Sequence, residues 1–113
     1  MNNKPILHLN LKKKWFDMIE SGEKKEEYRD MSPYYFNYFK VNQCTASFLI
    51  KIKNILYPPS EVIICFSNGY RKDRKQMFVK CKALHIGQGK KEWGAEYNMR
   101  YFILLLGNKL KED

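Results

Sequence analysis

The sequence predicts an α+β fold, mainly β: a partly closed barrel of five or six strands with two or three short helices. Three observations predict it. Apolar and polar residues alternate with a period of two in several separate stretches, the pattern of half-buried strands. The helical period occurs only in brief stretches between them. A chain of 113 residues that is 44% hydrophobic and 15% aromatic suits a single domain, residues 1–113, with a core that needs neither disulfide nor metal.

In chain order, residues 5–12 form the first strand, with Leu7, Leu9 and Leu11 facing one way and His8 and Asn10 the other. The spacing then changes. Trp15, Met18 and Ile19 fall at i, i+3 and i+4, and Gly22 stands where a helix cap belongs, so a helix runs from Lys13 to Ser21. A polar strand follows from Glu26 to Asp30. Ser32-Pro33 reads as an N-cap followed by proline at the first helical position, opening a short aromatic helix through Tyr34, Tyr35, Phe36, Tyr38 and Phe39. Residues 45–57 are ambiguous in period and read as a strand that Pro58-Pro59 ends. Val62 to Ser67 is an apolar run, and Asn68-Gly69 is the favoured two-residue hairpin turn; a longer loop is the alternative, because Arg71 to Lys75 is also polar. The return strand places Met77, Val79 and Cys81 on one face and Phe78, Lys80 and Lys82 on the other. After Ala83 the phase slips to Leu84 and Ile86, which predicts a bulge near 83. Residues 87–98, with Gly87, Gly89 and Gly94, predict a loop. Met99 to Leu106, apolar on both parities, predicts a central strand.

Charge narrows the function classes. Lys+Arg 21 against Asp+Glu 12 gives +9, which fits a polyanionic partner, RNA or a nucleotide or nucleoside above all; the alternative is a solubility device on an ordinary surface. Cys44, Cys65 and Cys81 are odd in number and show no C-x-x-C spacing, so a disulfide framework is not expected and the setting reads as reducing and cytoplasmic. No apolar run reaches the ~18 residues of a membrane-spanning helix, and the opening Met1-Asn2-Asn3-Lys4-Pro5 is not that of a signal peptide. His8, His85 and the scattered cysteines make no recognisable metal-ligand set. Gly87-Gln88-Gly89-Lys90-Lys91 lacks the spacing of a phosphate-cradling loop, so no cofactor is expected.

The chemistry concentrates in Gly22-Glu23-Lys24-Lys25-Glu26-Glu27-Tyr28-Arg29. On a strand Glu27 and Arg29 share one face, and Glu26 and Tyr28 share the other. If Glu27 and Arg29 point inward they must be paired, because a lone buried charge is costly. The alternative is a solvated edge strand carrying weak surface ion pairs.

This stretch fits G-x-K-x-x-E-x-R and resembles the signature of the ASCH domain, a member of the PUA-like barrel superfamily. The resemblance runs over about residues 6–107. It includes Ile6-Leu7-His8-Leu9 leading into Lys14-Trp15-Phe16-Asp17-Met18-Ile19, then Phe66-Ser67-Asn68-Gly69-Tyr70, Glu92-Trp93-Gly94-Ala95-Glu96, and the close on Leu106-Gly107. It implies a PUA-like barrel and a cleft beside the signature, lined by Lys24, Glu27 and Arg29, that binds RNA. Lys24 and Arg29 would neutralise phosphate, Arg29 would also stack on a base, and Glu27 would accept hydrogen bonds from a base or sugar. Lys14, Asn68, Tyr70, Arg71 and Trp93 complete the expected binding surface. Trp93 suits either base stacking or packing, while helical spacing places Trp15 in the core.

One branch of the ASCH family hydrolyses an acetylated cytidine nucleoside, using the motif lysine and a threonine three residues later. That position here is Glu27, which does not replace a hydroxyl nucleophile. A ribonuclease-like or amidohydrolase-like activity with Lys24 and Glu27 in catalytic roles and His8 or His85 as the acid is the enzymatic alternative. A protein partner on the helix from Tyr34 to Phe39 is a third reading.

Overall fold

Strands form where the alternation is cleanest, and the computed structural model describes residues 6–41, 55–56 and 62–110. The elements in order are β1 (Ile6–Leu11), α1 (Lys13–Glu20), β2 (Glu26–Asp30), α2 (Pro33–Val41), β3 (Ile55–Leu56), β4 (Ile63–Asn68), β5 (Gln76–Gln88), a 3₁₀ turn (Lys91–Trp93) and β6 (Arg100–Lys109). The fold is mainly β, a sheet curled into a half-barrel with two helices. Of the strand expected over 45–57, residues 55 and 56 are seen as β3; the rest, with Pro58-Pro59, Cys44 and Met1 to Pro5, lies outside the described residues.

The sheet runs β1-β4-β5-β6-β2, with β3 beside β5. β1 pairs with β4 in parallel, and the other pairings are antiparallel. β5 is long because it serves two neighbours on one edge. Its first half takes β4 at Lys80 to Gln76, and its second half takes β3 at Leu84 and His85. Register shifts lie between Val79 and Cys81 and between Cys81 and Ala83, where the apolar phase slips; Ala83 and Leu84 are accordingly both buried. The hairpin from β4 to β5 does not close at Asn68-Gly69. Asn68 N–H donates to Lys75 O at 2.9 Å, so the polar run belongs to a seven-residue excursion over 69–75. β5 also runs through Gly87 to Gln88, two residues into the expected loop.

Leu7, Leu9 and Leu11 of β1 are buried, as are Phe16 and Ile19 of α1, and they join Ile64, Phe66, Met77, Leu84, Phe102 and Leu104 in the main core. Phe39 of α2 enters it edge-on to Phe102, ring centres 5.2 Å apart. α1 ends into a turn at Gly22, whose φ of +89° favours glycine. α2 is capped by Ser32 Oγ, which accepts from Tyr35 N–H at 3.3 Å.

β1 and β2 end the sheet path and do not pair with each other. Side chains bridge the seam between them. Arg29 of β2 donates from Nη2 to Asn10 O of β1 at 2.8 Å. Two residues earlier on β1, the Tyr38 hydroxyl of α2 accepts from His8 N–H at 2.7 Å and donates to His8 O at 2.9 Å. Residues two apart on a strand direct their backbone groups to the same side, so Tyr38 and Arg29 cover one continuous edge of β1.

Candidate functional site

The signature segment builds the seam. Lys24 N–H donates to Met18 O at 2.9 Å, which ties the turn back onto α1 and sends the lysine inward. β2 then pairs with β6, placing Glu27 opposite Leu104 and Arg29 opposite Phe102, both core residues. Glu27 and Arg29 therefore point inward, and they are paired. Glu27 Oε1 accepts from Lys24 Nζ at 2.8 Å, and Glu27 Oε2 accepts from Arg29 Nε at 2.8 Å with Nη2 at 2.6 Å. Lys24 Nζ also donates to Glu26 O, and Arg29 Nη1 donates to the Tyr35 hydroxyl at 3.0 Å. The alternative of a solvated edge strand does not hold, because Lys24 is 2% exposed and Glu27 6%.

Burial pulls the Lys24 ammonium below its ordinary pKa, against the opposing pull of Glu27. Burial acts on Arg29 in the same sense, but Glu27 and the Tyr35 hydroxyl outweigh it, and its pKa rises. The rings of Trp15 and Tyr28 stand 5.7 and 5.1 Å from Lys24 Nζ, within cation–π range. Tyr28, on the opposite face of β2, donates to Glu26 Oε1 at 2.7 Å and accepts from Lys90 N–H at 2.9 Å. Burial and the bond to Glu26 raise its pKa. The segment around the 3₁₀ turn closes on these rings. A Cβ at Gly89 would come within 2.6 Å of Tyr28, and one at Gly94 within 3.1 Å of Trp15.

A cleft of about 290 Å³ opens over this cluster. Trp15, Tyr28 and Tyr35 give it aromatic walls, Glu27 and Arg29 its buried charges, and Asn10, Lys12 and Asp30 its remaining polar groups. The volume is at the low end for small-molecule sites, about 300–1,000 Å³.

The structure gathers some of the sequence-predicted residues and separates others. Glu27 and Arg29 line the cleft, and Lys24 reaches it only through Glu27, Trp15 and Tyr28. Exposed Lys14 places Nζ 4.6 Å from the centre of the Trp15 ring. Tyr70 lies on an adjoining cleft with Arg29. Arg71 is exposed in the 69–75 loop and pairs with Asp73 at 3.3 Å. Asn68 ends β4. Trp93 is half-buried under Lys90 Nζ, 4.6 Å from the ring centre. Trp15 packs against the core as its spacing predicts and also lines the cleft. Asn10, Tyr28, Asp30 and Tyr35 were not predicted as site residues. The polar Asn10 within an apolar alternation was the available signal for the first of them.

His8 lies on the adjoining cleft, and His85 sits on β5 with Nε2 buried and no hydrogen-bond partner among the described residues. Glu27 bonds to Lys24 and Arg29, not to either histidine. Cys65 and Cys81 are free and buried on paired strands; burial pushes the Cys81 thiol up to about 12. Among the described residues no group of three His, Cys, Asp or Glu side chains gathers as a metal site requires, and no helix is long and apolar enough to cross a membrane. Compared with known proteins, the chain matches no family model, no curated protein and no solved structure.

Proposed function

We propose that this domain binds RNA, or a nucleotide or nucleoside, in the cleft between β1 and β2. One observation carries the reading: a ring-lined cleft of about 290 Å³ lies over a buried cluster that holds two cations to one carboxylate. Lys12 and Arg29 line the cleft beside the carboxylates Glu27 and Asp30 and offer cations to a phosphate, and aromatic faces favour a base. Lys12 and Lys14 stand exposed beside the cleft, in a chain of net charge +9. The resemblance to the ASCH domain supports the same site, since Gly22, Lys24, Glu27 and Arg29 carry it, and a curled half-barrel accords with a PUA-like fold. The free, buried cysteines support a cytoplasmic setting.

In this reading Lys24 and Glu27 are positioning residues that hold Arg29 and the rings in place. Both Glu27 oxygens accept from cations, which suits a fixed acceptor better than a base that must take up a proton. That favours binding over hydrolysis.

The test is fluorescence anisotropy with a mixed-sequence single-stranded RNA at several salt concentrations. Lys12→Ala/Lys14→Ala lowers affinity and reduces the log–log salt slope by about two, at about one unit per lost phosphate contact. Lys82→Ala, an exposed lysine on β5, serves as the control. Equal losses per lysine removed would reduce the site to a general charge effect and sink the cleft.

A further inference from the structure

The seam carries a second cleft that nothing above uses. It measures about 200 Å³ and shares Asn10, Arg29 and Tyr35 with the first. Its other walls are His8 and Leu9 of β1 and three tyrosines, Tyr34 and Tyr38 of α2 and Tyr70 at the start of the 69–75 loop. Tyr34 and Tyr38 are parallel to within 8°, ring centres 6.3 Å apart. Tyr34 is 67% exposed and Tyr70 84%, so both rings stand largely in solvent.

The two clefts follow one another along β1. The first is lined by residues 10–12 of that strand end and the second by residues 8–10. Along β1 their linings are thus offset by about two residues, roughly 7 Å at ~3.3 Å per residue. That matches one step of an extended single strand of nucleic acid. The Arg29 guanidinium, fixed by Glu27, Tyr35 and Asn10, stands between them, where the linking phosphate of two nucleotides would pass. Gly69 N–H donates to Leu11 O at 3.1 Å, so the loop bearing Tyr70, Arg71 and Lys72 starts beside the same strand end and extends the cationic path.

We propose that the two clefts are consecutive base sites for a single RNA strand, with the tyrosine cleft taking the second nucleotide and Arg29 the phosphate between them. This rests on the nucleotide-binding reading of the first cleft. The occupant is a single strand rather than a duplex, because each site needs an unstacked base.

The test compares mixed ribonucleoside monophosphates with mixed ribodinucleotides by NMR titration, which detects weak binding. Wild type binds the dinucleotides at least about fivefold more tightly, the low end for one stacked base. Tyr34→Ala removes one exposed ring that lines the second cleft and not the first, without touching the core, and its fold is checked by circular dichroism. It binds mononucleotides as wild type does and loses the dinucleotide advantage. Equal affinity of wild type for both lengths would overturn the second site while leaving the first. Absence of binding at either length would overturn both.

Discussion

Two clusters in this protein share one plan, a carboxylate with a cation on each oxygen. In the seam, Glu27 takes Lys24 on Oε1 and Arg29 on Oε2. At the surface, Glu20 of α1 takes Lys75 on Oε1 at 3.0 Å and Lys109 on Oε2 at 3.3 Å. Their surroundings differ. The seam side chains are 1%, 8% and 13% exposed for Lys24, Glu27 and Arg29, against 62% and 46% for Lys75 and Lys109. In water an ion pair gains little, because solvent already stabilises each partner. Out of water each charge depends on the others, and the cluster stands or falls as a unit. The same arrangement is thus an ornament on one side of the domain and a fastening on the other.

The largest expected effect comes from Glu27→Ala, which strands two buried cations. It costs about 3–5 kcal/mol in urea unfolding, and a loss below 1 kcal/mol would place this cluster with the surface one. Arg29→Lys keeps the charge but not the fork that spans Glu27, Tyr35 and Asn10. It costs about 1.5–3 kcal/mol, whereas Leu104→Met in the neighbouring core stays under about 1.5. If the order reverses, the seam is held by packing rather than by Arg29. Glu20→Ala costs about 0.2–1 kcal/mol, and the loss shrinks as salt rises; a salt-independent loss would contradict its exposure.

The clusters also differ at the two ends of the pH scale. Bonding to Lys75 lowers the Glu20 pKa, so its contribution is present above the ordinary carboxylate range and fades as pH falls through the folded value. Lys24 acts in the same direction at the alkaline end, for the opposite reason: the fold favours the ionised Glu20, while burial disfavours the ionised Lys24. Its folded pKa lies below the ordinary 10.5, so the unfolded chain holds the extra proton between the two values, and stability from this group increases as pH rises through that window. Wild type therefore gains on Lys24→Met when unfolding is followed upward through the alkaline range. A difference that is flat with pH would mean that Lys24 titrates alike folded and unfolded.

The same contrast governs what the sequence made legible. β1, α1, β2 and α2 follow from period, capping and turn residues, all local properties, and even the irregularity of β5 shows as a phase slip at Ala83. The inward pairing of Glu27 and Arg29 was legible as a condition: if inward, then paired. What decided it was the register of β2 on β6 and the parallel pairing of β1 with β4, which join segments distant in sequence. Asn10 and Tyr35 belong to the site through that topology, and no local pattern announces it. The length of the 69–75 loop was open for a related reason, since Asn68-Gly69 is a sufficient turn by itself and the pairing of Asn68 with Lys75 is what overrides it.

The covering of β1 has a further consequence. A strand at the end of a sheet offers its unused N–H and C=O groups to any extended chain, including another copy of itself. Here the backbone groups of His8 are occupied by one tyrosine hydroxyl, and the carbonyl of Asn10 by one guanidinium. Among the described residues, Tyr38 and Arg29 thus occupy backbone groups of β1 with which a second extended chain would otherwise pair.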